Sequence, residues 1–217
     1  VLRQAESAQW LRAAPAAHRR WLDASGFRGR AGEFSLLPGD GPPAAVFVFA
    51  DDGSVADFWR LASLPTRLPE GMWQVGSMAA EIETRLALAW GIGAYQFTRY
   101  RKAERLPSQL IWPRHADRAA VLRAVEAAAL ARDLINTPAQ DMGPTALAQA
   151  ALKMARTNGM RSRVVVGDAL LKGGYGLIHA VGRAAADAPR LIDLAWGEAK
   201  HPRVTLVGKG VCFDTGG

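Results

Sequence analysis

Short apolar runs bounded by Gly, Pro or charge alternate along this chain with stretches of helical periodicity, and that alternation points to an α/β architecture. The clearest run is Ala44 to Ala50 (AAVFVFA), continuous, β-prone and short, which reads as a buried strand. Ahead of it, Pro38-Gly39-Asp40-Gly41-Pro42-Pro43 reads as a turn. Behind it, Ser54 followed by Asp57 resembles a capping box, opening a helix with Val55, Phe58, Leu61 and Ala62 on one face. Ile82, Leu86 and Trp90 recur at every fourth residue, so an amphipathic helix is expected from Glu81 to Phe97. Residues 1–113 therefore read as a small N-terminal α/β domain.

Leu106 to His115, carrying Pro107 and Pro113, breaks the periodicity and marks a boundary. From Ala116 to Leu134 there is neither Gly nor Pro, and Val121, Val125 and Ala129 form an apolar stripe, so 114–135 reads as a linker helix. The loop Asn136 to Pro144 follows, its last proline suited to the first turn of a helix that should end at Gly159. Beyond it, strands are expected at Arg163–Val166, Leu177–Val181, Arg190–Trp196 and Arg203–Val207. Their near-continuous apolar character implies a sheet covered on both faces. Residues 136–217 thus read as the beginning of a second, mixed-sheet α/β domain.

With 49% hydrophobic and 22% charged residues in 217, the chain can bury a core, which excludes disorder as its main state. No apolar run approaches the roughly 18 residues of a membrane helix. The single cysteine, Cys212, excludes an internal disulfide and any multi-Cys zinc site, and reads as a small apolar filler. The polar start lacks a secretion signal, so a cytoplasmic protein without a membrane partner is expected. The chain begins without Met and stops in the glycine-rich Phe213-Asp214-Thr215-Gly216-Gly217, so it reads as a fragment.

A net charge of +7 raises the question of nucleic acid. The excess is spread thinly, and only Arg99, Arg101, Lys102 and Arg105 cluster, with Tyr95, Phe97 and Tyr100 interleaved. That mixture would suit phosphate and base contacts. Its ordinary reading is a solvated helix end with the aromatics packed inward. The dispersed tryptophans read mostly as core, and His18, His115, His179 and His201 show neither catalytic nor metal spacing.

Chemistry in α/β sheets gathers where strands end, which directs attention to Lys209 and Asp214 after the last expected strand. Gly208-Lys209-Gly210 has no hydroxyl after its lysine and no glycine at the upstream spacing of a phosphate loop. Lys172-Gly173-Gly174-Tyr175-Gly176 matches no nucleotide fingerprint and reads as a flexible turn. On spacing alone, Lys209 and Asp214 fit a salt bridge or a solvated loop as well as a catalytic couple.

The stretch VGKGVCFDTGG, however, resembles the signature by which the M17 leucyl aminopeptidases present their first two metal ligands. ARDLINTPAQDMGP at 131–144 is similar to the start of that family's catalytic domain, and GGYGLIHAVGRAAADAPRLIDLAW at 173–196 follows in the family's order. The resemblance implies a di-metal aminopeptidase that removes the N-terminal residue from peptides. Lys209 would bind one metal and Asp214 would bridge both, with zinc, manganese or magnesium as the two divalent ions and no organic cofactor. A lysine amine must lose its proton to coordinate, and a neighbouring cation favours that loss. The metals would polarise the scissile carbonyl and supply the hydroxide.

By the same resemblance, residues 1–113 correspond to a domain similar to a macro domain, and 136–217 to the first part of the catalytic domain. The family's remaining ligands, second active-site lysine and bicarbonate-holding arginine follow the FDTGG turn, so no catalytic residue beyond the two ligands is expected in this chain. A polypeptide ending at Gly217 is expected to be inactive and to bind metal weakly. Family members assemble as hexamers, which implies a homo-oligomer. Some bind DNA, which leaves a nucleic-acid-binding or structural homologue as the alternative.

Overall fold

The computed structural model describes residues 1–76 and 78–212, and the chain divides into two units, Val1–Arg132 and Asp133–Gly217. The first unit runs β1 (Leu2–Arg3), α1 (Gln4–Ala13), α2 (Ala16–Ala24), β2 (Phe34–Leu37), β3 (Ala44–Phe49), α3 (Val55–Ala62), α4 (Leu64–Arg67), β4 (Met72–Trp73), α5 (Ala80–Gly93) and β5 (Gln109–Leu110). Helix α6 (Arg118–Asn136) spans the division: residues 118–132 belong to the first unit and 133–136 to the second.

The apolar run becomes β3, the middle strand of a mixed sheet, parallel to β1 and antiparallel to β2. Side chains alternate across a strand, and here that sends Phe47 and Phe49 into a core with Leu61, Leu86 and Trp90. Val46 and Val48 enter a second core with Leu22 and Phe27. A strand apolar on both faces is thus covered on both faces, each buried phenylalanine contributing about 1.5–3 kcal/mol. A separate parallel pair, β4 with β5, was not foreseen from these short segments.

Ser54 caps α3, its Oγ accepting the Asp57 N–H at 3.1 Å. The reciprocal half of the expected capping box is absent, because the fully buried Asp57 carboxylate accepts instead from the Ala50 N–H at 2.7 Å and the Asp51 N–H at 3.1 Å. Those bonds hold the turn after β3, where Asp51 takes a left-handed φ of 60°.

Helix α5 ends at Gly93 rather than at the expected Phe97. Gly91 and Gly93 both carry the weak helix propensity of glycine, and Tyr95 onward forms a loop. At its other end, the buried Glu83 carboxylate accepts from the Met78 N–H at 3.0 Å and from the His115 N–H at 2.6 Å. Thr84 Oγ1 accepts from the Asp117 N–H at 2.9 Å, so the first turn of α5 holds the residues leading into α6.

The Met78 and His115 amides hold the Glu83 carboxyl below the usual carboxylate range, despite its burial. A carboxylate with a lower pKa folded than unfolded binds fewer protons in the folded state. Its contribution is therefore fully present above about pH 4.3 and drains away as pH falls through the folded value. Glu83→Gln should accordingly lower the thermal midpoint at neutral pH. The gap to the unaltered chain should close on acidification, as thermal melts across pH 7 to 3 would show.

The second unit contains the end of α6, α7 (Pro144–Thr157), β6 (Arg161–Val166), α8 (Ala169–Lys172), α9 (Gly176–Gly182) and β7 (Arg190–Ala195). Pro144 opens α7, and Gly159 follows its end at a φ of +62°, as the sequence led one to expect. β6 and β7 pair antiparallel from Arg161↔Ala195 to Val166↔Arg190. Ala148, Ala155, Val165 and Leu170 are buried in this unit.

Two of the expected strands are corrected here. Leu177–Val181 lies within helix α9. A short, mostly apolar run (Leu177, Ile178, Ala180 and Val181 around His179) suits either state, and after the Gly174 turn the helix satisfies its backbone groups locally, without a neighbouring strand. Arg203–Val207 forms no strand, since no described segment pairs with it, and Leu206 is 92% exposed. The β6–β7 pair is not covered on both faces either, because Arg161, Ser162 and Arg163 are exposed.

Candidate metal centre and its surroundings

The segment that follows β7 carries the expected ligands. Residues 203–212 lie outside any helix or strand and are mostly exposed, and Lys209 lies among them, open to solvent. Asp214 lies outside the described residues. The donor chemistry fits divalent ions, since a neutral amine nitrogen and a carboxylate oxygen are both accepted by zinc and manganese. Two donors are fewer than the three protein ligands of a catalytic zinc site, so Lys209 and Asp214 fit as part of a ligand set. Among the described residues, no group of three or more His, Cys, Asp or Glu could hold an ion.

The histidines make local structural contacts. His18 meets the Pro38 carbonyl at 3.1 Å, His115 the Glu83 carboxylate, and His179 Asp168 at 3.1 Å, while the His201 N–H donates to the Glu198 carbonyl. Cys212 is a free, half-buried thiol.

Sequence reasoning missed the group that organises the approach to β7. The Asp187 carboxylate accepts the Thr145 N–H at 2.7 Å and the Thr145 hydroxyl, and meets the Arg190 guanidinium at 2.8 Å. Thr145 stands in the first turn of α7, so Asp187 acts as an N-cap supplied from a distant loop. The Thr145 hydroxyl and amide, with Arg190, hold its carboxyl below the usual range. Gly143 leaves room for it, since a Cβ there would lie 2.9 Å from Asp187 Oδ2. Nothing in sequence separation joins Asp187 to Thr145, although a helix opening with Gly143-Pro144 and no capping side chain of its own was a signal.

Asp187→Ala should destabilise the second unit by about 1 kcal/mol, the usual cost of a lost N-cap. Differential scanning calorimetry of the variant would show the loss as a lower midpoint for that unit.

The basic cluster also differs from expectation. It is a loop rather than a helix end, and Tyr100 is 54% exposed rather than packed inward. Much of its charge is engaged: Arg105 donates to the Thr66 and Leu68 carbonyls, Arg101 pairs with Glu104, and Arg99 lies over the Tyr100 ring. The tryptophans are likewise less buried than foreseen. Only Trp90 among them is fully buried, whereas Trp21 and Trp59 are half exposed and Trp196 is 77% exposed. Trp21 lies over the edge of β2 with its indole N–H donated to the Leu36 carbonyl, and Trp59 packs edge-on against Phe58.

Comparison with known proteins gives these features a common frame. The M17 aminopeptidase N-terminal domain matches residues 1–113, and the catalytic domain of the cytosol aminopeptidase family matches residues 129–217. A probable cytosol aminopeptidase of Corynebacterium efficiens is 31% identical over 214 residues, spanning 91% of this chain and 42% of that protein. One from Streptomyces griseus is 34% identical, spanning 88% of this chain and 45% of that protein. The chain therefore spans less than half the length of these relatives.

Among solved structures, the cytosol aminopeptidase of Coxiella burnetii superposes with a TM-score of 0.84 at 39% identity, over 99% of this chain and 47% of that one. The bottromycin maturation enzyme BotP, solved in complex with Mn, gives a TM-score of 0.67 at 27% identity, over 86% of this chain and 43% of that one. With the family's N-terminal and catalytic domains matched in order along its length, the chain belongs to the M17 family of cytosol aminopeptidases.

Proposed function

We propose that this chain supplies the N-terminal domain and the first metal-binding part of a di-metal aminopeptidase, which hydrolyses the N-terminal residue, of leucine type, from peptides. The observation that carries the reading is the fit to the Coxiella burnetii enzyme, with a TM-score of 0.84 and 39% identity over 99% of this chain. Lys209 and Asp214 are the residues that would hold the ions, and the manganese in the BotP structure supports a divalent metal. Held there, divalent ions would supply Lewis-acid polarisation of the scissile carbonyl and a more acidic water.

The chain's own residues do the positioning. Asp187, Thr145 and Arg190 fix the start of β7 against α7, and the chain leaving β7 leads to Lys209. Exposure leaves the Lys209 amine free to meet an ion, and an adjacent cation favours the neutral amine that coordination requires. A cytoplasmic homo-hexamer is the assembly the family suggests. The engaged charges of the 99–105 loop favour no nucleic-acid reading.

Two donors cannot hold two ions tightly, so the 217-residue polypeptide by itself should be inactive. The test joins residues 1–217 to the part of the Coxiella burnetii enzyme that lies beyond the aligned region. Leucine amide should be hydrolysed by this chimera, the activity should vanish with a chelator, and manganese or zinc should restore it. A soluble, folded chimera without metal-restored turnover would sink the reading.

A further inference from the structure

We infer that Asn158 is a site of spontaneous covalent modification, at which the Gly159 amide nitrogen converts it, through a cyclic imide, into isoaspartate and aspartate. This goes beyond the peptidase reading and does not depend on it. Asn158 closes α7 and Gly159 follows it, both exposed, in the turn that leads to β6.

The reaction balances with water as the only co-reactant. The Gly159 nitrogen gives up its proton and attacks the carbonyl carbon of the Asn158 side chain. The bond from that carbon to the side-chain nitrogen breaks, and the nitrogen leaves as ammonia, taking up a proton. Water then opens the five-membered imide at either carbonyl. Opening at the main-chain carbonyl gives isoaspartate, with the backbone rerouted through the side chain, and opening at the other gives aspartate. Because the reacting atoms belong to adjacent residues, proximity replaces a catalyst. Glycine hinders the attack least, since it has no side chain beside its nitrogen.

In the folded chain, both groups are restrained only through the last turn of α7. The Asn158 side-chain amide donates to the Met154 carbonyl at 2.9 Å, and the Gly159 N–H donates to the Arg156 carbonyl at a long 3.3 Å. Helix ends fray, and fraying here releases nucleophile and target together. Gly159 sits at a φ of +62°, and beyond its chain neighbours nothing lies within 4 Å of the position a Cβ would take, so the turn has room for the imide. The other asparagine, Asn136, lacks these features. Its neighbour Thr137 is branched and buried, with its N–H donated to the Asp133 carbonyl at 3.1 Å.

Modification weakens the turn. The Met160 N–H donates to the Ala155 carbonyl at 2.8 Å, closing α7 in a Schellman motif around Gly159. Isoaspartate adds a carbon to the main chain inside that motif. Either product also replaces the amide donor with a carboxylate at the end of α7 where the free carbonyls already carry negative partial charge.

Incubation of the intact 217-residue chain at mildly alkaline pH, followed by peptide mapping with an isoaspartate assay, tests the inference. Isoaspartate should accumulate at position 158 while Asn136 stays unmodified. Asn158→Gln, whose imide needs a six-membered ring, should cut modification at this position roughly tenfold or more. Denaturing urea should speed the reaction several-fold, because α7 no longer holds the two groups. The aged chain should melt at a lower temperature than the fresh one, and aged Asn158→Gln should match its own fresh sample, which separates this site from slower changes elsewhere. Persistence of Asn158 in the folded chain, equal modification of Asn136, no acceleration in urea, or an undiminished melting temperature after modification would each overturn the proposal.

Discussion

Lys209→Arg and Asp214→Asn, each placed in the chimera, are expected to lower leucine amide hydrolysis by roughly 10³-fold or more, with the thermal midpoint unchanged. The choice of substitutions separates coordination from charge. Arginine keeps the cation of Lys209 but cannot shed its proton, so it cannot serve as a ligand. If Lys209 acted only through charge, arginine would preserve most of the activity. Asparagine likewise keeps the shape of Asp214 while removing the negative charge and one of the two oxygens that could bridge a pair of ions. Because Lys209 is exposed and lies outside any helix or strand, its replacement should leave the fold intact. Losing 10³-fold corresponds to about 4 kcal/mol of transition-state stabilisation, more than a surface lysine without a direct role would supply.

Gly93→Ala should be the most damaging small change in the first unit. In an ordinary exposed helix, alanine is favoured over glycine by about 1 kcal/mol. At this position the sign should reverse, because a Cβ on Gly93 would overlap the carbonyl oxygen of Ala62 at the end of α3. That oxygen belongs to the backbone and cannot rotate away. The helices must separate, and α3 with α5 encloses Leu61, Ala62, Leu86 and Trp90 in one core. Overpacking of this kind costs about 1–3 kcal/mol and occasionally more, and the backbone clash places Gly93→Ala at or beyond the upper end. Chemical denaturation monitored by Trp fluorescence would show the loss, and a variant as stable as the parent would contradict the assigned packing of α3 on α5. Gly91 is a milder case, since its Cβ would meet the movable Val125 side chain at 2.5 Å.

How far the sequence discloses this structure depends on how local the determining interaction is. β3 was legible because seven consecutive apolar residues leave no exposed face, and the structure packs both sides of that strand. α7 was legible from Pro144 and Gly159, whose backbone preferences act at the position they occupy. Leu177–Val181 was misread because its state depends on whether a neighbouring strand is available, and a short, mostly apolar run does not reveal that. The same dependence explains Arg203–Val207, which finds no pairing segment among the described residues and lies as exposed coil. The contacts of Glu83 with His115 and of Asp187 with Thr145 join residues more than thirty positions apart, so no local pattern announces them. At the candidate site, Lys209 and Asp214 stood out by residue type and by motif, whereas spacing alone left their role open.

Crystals of the chimera grown with manganese, measured for anomalous scattering at the metal edge, test the central claim most directly. The account predicts two manganese peaks, with the Lys209 amine at bonding distance from one and the Asp214 carboxylate shared between both. Peaks ligated by other residues, with Lys209 turned into solvent, would contradict it.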